Sequence, residues 1–140
     1  MELSWSCLEN ISRTKAFDIW YLFPFYAVNR NLPRSGAIRQ ANEELLTKIF
    51  GSPDWKQCIY QESPQLSFLD GLNLEKIPNG LKDYIQNRLT ETFPTVVPNP
   101  ALLRNKKNAP IFLLCFAGSN PSSAAKRLSL SGAKHILDHV

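Results

Sequence analysis

Two apolar runs limit what this chain can fold into. Phe17, Ile19, Trp20, Tyr21, Leu22 and Phe23 form the first, closed by Pro24; Ile111 to Ala117 forms the second, broken by Gly118, Asn120 and Pro121. Alternation of apolar and polar residues marks a strand that is wet on one face, whereas a run without alternation marks a strand covered on both. Neither run approaches the about 20 apolar residues needed to cross a bilayer. Each therefore predicts a buried strand in a sheet flanked by helices.

The segments around them supply helices. Trp5, Leu8 and Ile11 at three-residue spacing predict a short amphipathic helix over Leu3–Arg13, with Ser4 as its N-cap. A helix from Ser35 to Phe50 places Ile38, Ala41, Leu45 and Ile49 on one face and ends at Gly51. Ser52 and Pro53 read as the cap and first residue of another, running to Tyr60 with Trp55 and Ile59 on one side. The segment Gln61–Lys76 reads as loop. Ile77, Leu81, Tyr84, Ile85, Leu89 and Phe93 form the clearest helical stripe, which Pro94 ends. Thr95–Val97, between prolines, predicts a short strand at a sheet edge. The stretch from Pro98 to Pro110 reads as a basic loop. A last helix follows, capped by Ser119 or Asn120 with Pro121 in its first turn. Its expected inward stripe is Ala125, Leu128, Gly132, Ile136 and Val140.

This order predicts an α/β fold with a helical insertion at about 35–93, all within one partial domain over residues 1–140. Three strands fall short of the about four to six of a usual sheet, and two of them call for neighbours on both sides. With 140 residues, 44% of them hydrophobic, the chain has the size and composition of a single globular domain. Cys7, Cys58 and Cys115 form no CxxC pair, which argues against a zinc knuckle or disulfide scaffold. The N-terminal MELSWSCLEN lacks a basic start followed by an apolar run. The expectation is a cytoplasmic protein without membrane insertion.

Charge is uneven. From Thr92 onward six cations face one acid, a balance of +5, while ten cations and eleven acids leave the rest at −1. Such clustering can mark a phosphate-binding face, although a solvated surface is the plainer reading, since no aromatic residues alternate with the cations. The candidate anion-binding residues are Arg104, Lys106 and Lys107 in the basic loop, together with Asn29 and Arg30 after the carboxyl end of the first strand. Ligands of α/β sheets gather at that end, and an arginine there can grip a phosphate or carboxylate with two parallel bonds. Asn29 and Arg30 serve equally well to fix a loop. The six glycines are isolated, with no GxGxxG cofactor turn. Gly118, between strand and helix, reads as part of a cap and tight turn. Asp18 reads as a solvent-facing or capping acid. His135 and His139 are one helical turn apart but lack a third ligand, so no metal site is expected. Cys115 reads as a buried small hydrophobe, and Trp5, Trp20 and Trp55 as core anchors.

Three phrases, TKAFDIWYLFPFYAVNR at Thr14–Arg30, IFGSPDW at Ile49–Trp55 and APIFLLCFAGSNPSSAAKRLSLSGAKHIL toward the C-terminus, give the chain a family likeness. In order and spacing it resembles the C-terminal part of the three-Cys-motif partner proteins (TcmP), a bacterial and archaeal family. The cysteines of that name belong to the partner and not to this chain. The resemblance implies a Rossmann-like, methyltransferase-like sheet whose N-terminal strands are missing, with Met1 lying inside a longer reading frame. Phe17–Phe23 would then be the fifth strand. Thr95–Val97 and Ile111–Ala117 would be the last two, paired antiparallel at the sheet edge.

Function follows as expectation. The favoured reading is a non-catalytic interaction or structural portion whose partner is the radical-SAM-like three-Cys-motif protein. The alternative is the substrate side of a SAM-dependent methyltransferase, with nucleic acid as a candidate substrate. On either reading this chain carries no cofactor site of its own, and SAM would bind only in a full-length relative.

Overall fold

Nine residues, Pro110–Gly118, form the strand around which the main sheet is built, and a computed structural model describes it together with the rest of residues 4–63 and 74–140. The elements run α1 (Trp5–Arg13), β1 (Asp18–Phe23), α2 (Phe25–Asn29), α3 (Gln40–Phe50), α4 (Trp55–Ile59), β2 (Tyr60–Glu62), β3 (Leu74–Lys76), α5 (Gly80–Thr92), β4 (Thr95–Val96), β5 (Ala101–Arg104), β6 (Pro110–Gly118) and α6 (Ser123–Asp138). On one edge of β6 lies β1, antiparallel, from Asp18 opposite Gly118 to Phe23 opposite Leu113. The other edge is shared by β4, opposite Gly118 and Ala117, and β5, opposite Leu114 to Pro110, both antiparallel. Thus β1 and β5 run the same way, with β6 reversed between them. The molecule is mixed α/β with an antiparallel sheet.

Local chemistry explains the shared edge. Pro98 and Pro100 cannot donate to the ladder, and Asn99 between them has φ 64°, so pairing lapses after the Val97 N–H reaches the Phe116 carbonyl at 3.2 Å. It resumes at Ala101. The expected basic loop from Pro98 to Pro110 is therefore mostly a hairpin. Its turn is closed by Asn105, whose side-chain oxygen accepts from the backbone N–H groups of Lys107 and Ala109, each at 2.9 Å.

Cross-strand partners share a face of the sheet. Tyr21, Phe23, Leu113 and Cys115 face the large core, where Trp5, Phe50, Trp55, Ile85 and Leu89 are buried against them. The Tyr21, Phe23 and Phe50 rings form a chain with centroids 6.0 and 6.4 Å apart. Trp20, Leu22, Leu114 and Phe116 face the other way, where a smaller cluster gathers Val97, Phe116, Ala133 and Leu137 beneath α6.

That second face corrects two expectations. Burial on both sides holds for the C-terminal half of β6, but on β1 it alternates, and Trp20 and Leu22 remain 44% and 47% exposed. Trp20 is thus not a core anchor, unlike Trp5 and Trp55. The reason is that α6 lies over β4 and β6, and β1 has no further neighbour among the described residues. The inward face of α6 is also not the expected stripe: Ala133 and Leu137 are buried, whereas Leu128, Gly132, Ile136 and Val140 are exposed. Two apolar stripes compete on this helix, and the one with the small Ala133 packs close to the sheet.

Smaller corrections follow from caps. α3 begins at Gln40, because Ser35 turns back to its own neighbourhood, accepting from Ala37 N–H at 3.4 Å. α4 is confined to Trp55–Ile59, and Ser52 accepts from Asp54 N–H instead of opening the helix. α5 begins at Gly80, not Ile77, and Ser122, not Ser119 or Asn120, caps α6 by accepting from Ala125 N–H at 3.1 Å. Within the expected loop Gln61–Lys76, β2 and β3 pair antiparallel; residues 64–73 lie outside those described.

Gly51 ends α3 at φ 69°, and a Cβ there would stand 2.6 Å from that of Trp5. Gly51→Ala should lower the unfolding free energy by about 1–3 kcal/mol in urea titration. Gly132 sits in exposed helix, and a Cβ added to it would have no neighbour within 4 Å. Gly132→Ala should raise stability by about 0.5–1 kcal/mol in the same assay.

Candidate functional site

Because β1 and β5 run the same way, the loops that follow them lie at one end of the sheet. Phe23 at the close of β1 faces Leu113, and Arg104 at the close of β5 faces Pro110. α2 packs on β6 at this end. Asn29 and Arg30 close α2, and Lys106 and Lys107 form the tip of the β5–β6 turn. All five residues expected from the sequence therefore come to the same end.

Their engagements differ. The Asn29 side-chain oxygen accepts a short hydrogen bond from the Lys76 ammonium, which also donates to the Leu32 carbonyl at 3.0 Å. Asn29 is thus a loop-fixing residue that holds a cation. Arg30 is exposed, and its backbone N–H bonds the Tyr26 carbonyl at 3.1 Å. The Arg104 guanidinium reaches the Asn108 carbonyl at 3.0 Å, bracing its own turn. Lys106 and Lys107 are exposed.

Lys76 and Arg34 are the residues that sequence reasoning missed. The Lys76 backbone N–H bonds the Arg34 carbonyl at 3.2 Å, so β3 is tied to the loop after α2. Burial, and then the nearby Arg34 charge, hold the Lys76 ammonium below its ordinary pKa. The signal that points to this end is an absence: no acid occurs between Ile19 and Asn42, while Arg30, Arg34 and Arg39 do.

The opposite end is built differently. Ser119 is buried, donates its hydroxyl to the Phe17 carbonyl at 2.6 Å and accepts from the Phe17 N–H at 2.9 Å, which locks the start of β1 to the end of β6. Asp18 accepts from Ser129 at 3.2 Å, and its carboxylate lies so near Gly118 that a Cβ there would meet it at 2.8 Å. A carboxylate over the glycine opposes an anionic ligand. These residues do not fit a glycine-rich cofactor turn. His139 Nδ1 lies 2.7 Å from the His135 backbone carbonyl, so the His139 ring is engaged at the C-terminus of its own helix. Among the described residues no group of three or more His, Cys, Asp or Glu side chains is placed to hold a metal ion.

A surface cleft of about 280 Å³ lies between α1 and α5, lined by Glu9, Ser12, Arg13, Arg88, Glu91 and Thr92. Its central cation serves the fold. Arg88 lies over the Trp5 ring at 4.9 Å and donates to the Phe50 carbonyl at 2.9 and 3.1 Å, closing the C-terminus of α3. Ser12 and Thr92 are also committed, donating to the Thr92 and Arg88 carbonyls. Mixed charge and satisfied hydroxyls make this a packing seam.

No family model, curated protein or solved structure matches the chain. No described helix is long and apolar enough to cross a membrane.

The cysteines offer a direct check on this arrangement. Cys115 is buried and its thiol is pushed up to about 12 by that burial, while Cys7 and Cys58 are exposed. Burial and the charges of Asp54 and Glu91 also raise Cys58. Since the thiolate is the reactive form, a disulfide reagent near neutral pH should modify Cys7 first, Cys58 more slowly, and Cys115 only on unfolding, as read by peptide mass.

Proposed function

We propose that this chain is the C-terminal portion of a protein of the three-Cys-motif partner kind, acting as a structural and interaction portion without catalysis of its own. The observation that carries this reading is the outer edge of β1. Six residues long, with Asp18 as its only charged residue, this strand pairs on one side only among the described residues, and it exposes Trp20 and Leu22 on one face and Phe17 at its start. Edge strands are ordinarily blunted by charge, proline or a covering element, because an open edge recruits another strand. Here the edge fits a sheet that continues. A reversed strand between two that run together also fits the edge of a methyltransferase-like, Rossmann-like sheet. On this reading further strands and a helix cover Trp20 and Leu22, and the completed protein binds the radical-SAM-like three-Cys-motif partner.

The alternative, the substrate side of a SAM-dependent methyltransferase, draws on the cations gathered at the carboxyl ends of β1 and β5. On that reading SAM binds to a full-length relative and not to this chain. Calorimetry with such a relative decides it: absence of SAM binding removes the alternative.

The main reading is tested by mixing this chain with the separately expressed N-terminal half of a three-Cys-motif partner protein. A one-to-one complex is expected by light scattering. The Trp20→Lys, Leu22→Lys variant, altered at two half-exposed side chains of which Trp20 also packs on Phe116, should weaken it at least about tenfold, since each lost apolar contact is worth about 1.5 kcal/mol or more. Failure of the unaltered chain to form the complex, together with failure of the completed form to retain the three-Cys-motif protein, overturns the proposal.

A further inference from the structure

Six cations, Arg30, Arg34, Lys76, Arg104, Lys106 and Lys107, come from three segments far apart in sequence to one end of the sheet, and among the described residues none of them forms an ion pair. No acid lies in the chain between Ile19 and Asn42, or between Thr92 and Leu137. The two loops that build most of this end thus carry no acid of their own, and the described acids next to them are Glu62 and Glu75 of the β2–β3 pair. Ordinary solvated surfaces intersperse both signs. Lys76 adds a second kind of observation. Its ammonium is half-buried between the Asn29 side chain and the Leu32 carbonyl, neither of which is an anion. Among the described residues this withdrawn charge has no counter-ion, which is unfavourable, and an arriving anion would offset the cost.

The aromatic residues narrow the chemistry. Tyr26 is 56% exposed on α2, one turn before Arg30, so the two side chains share a face of that helix. Phe112, two residues after the Pro110 that closes the hairpin, is also partly exposed. In the sequence no aromatic residue alternates with the basic ones; in the fold α2 sets Tyr26 next to Arg30, while Phe112, opposite Leu103, lies on the sheet face turned away from the large core. A flat ring with a guanidinium next to it is the combination that holds a base and its phosphate. Cations spread over two loops suit a chain of phosphates better than a single anion.

We infer that this end of the sheet binds single-stranded nucleic acid, with Arg30, Lys106 and Lys107 on successive phosphates and Tyr26 under a base. The inference is independent of what covers β1, because its residues lie beyond the strand's carboxyl end.

The test uses the full chain, a labelled thymidine oligonucleotide of about 20 nucleotides, and fluorescence anisotropy over a range of salt. Arg30→Ala, Lys106→Ala, Lys107→Ala removes three exposed side chains, none of which makes a described side-chain hydrogen bond. Affinity should fall at least about tenfold, and the slope of log affinity against log salt should flatten by about 2, at roughly 0.7 per phosphate lost. Lys126→Ala, Arg127→Ala, Lys134→Ala removes the same formal charge from α6 and should change affinity less than about threefold. Tyr26→Ala should weaken binding about fivefold or more with the salt slope unchanged. Equal losses in the two triple variants, or no binding by the unaltered chain at low salt, overturn the site. Competition by poly-glutamate as strong as by the oligonucleotide, equal affinity for a duplex, or no effect of Tyr26→Ala overturns the single-stranded assignment.

Discussion

The ladder between β1 and β6 joins segments about a hundred positions apart, and the packing of the molecule takes its orientation from it. Six residues of each strand pair from Asp18 and Gly118 to Phe23 and Leu113. The buried Ser119 hydroxyl clamps the open end of this ladder to Phe17, 102 positions away. On one face Tyr21 and Phe23 are thereby held against Trp5 and Phe50, which lets α1, α3 and α5 share a single core. On the other, Phe116 is presented to α6. The same register puts the loops after β1 and β5 at one end of the sheet, on opposite edges of β6.

Much of this architecture is legible in the residues alone. The apolar runs at Phe17–Phe23 and Ile111–Ala117 are strands, and the stripe through Leu81, Tyr84, Ile85 and Leu89 is buried, because periodicity reports burial directly when one element packs against one core. The left-handed Gly51 that stops α3 is equally readable. α6 shows where periodicity fails. It carries apolar residues on two faces, and only the position of Val97 and Phe116 decides that Ala133 and Leu137 turn inward. Helix starts fail for a related reason: Ser35 and Ser52 can satisfy nearby backbone groups without opening a helix.

The cationic end divides in the same manner. Arg104, Lys106 and Lys107 stand out as a local cluster, and Asn29 and Arg30 stand out by following a strand. Lys76 does not, because its meaning comes from Asn29 and Leu32, more than forty positions away. Tyr26 is hidden for a different reason. In sequence it continues the apolar run of β1, and only the break at Pro24 into α2 turns it outward.

The turn at Asn105 has a kinetic meaning besides its geometric one. Asn105 bonds two backbone N–H groups within four residues, and Asn108 takes φ 61°, so the β5–β6 hairpin can close on local information alone. Hairpins of this kind form in about 1–10 μs. The β1 pairing must instead close a loop of most of the chain, with an entropic cost that local contacts do not offset beforehand. The hairpin is therefore poised to form first and to present β6 as a template. Until β1 arrives, the Leu113, Cys115 and Ala117 side of that template is the surface most exposed to mispairing.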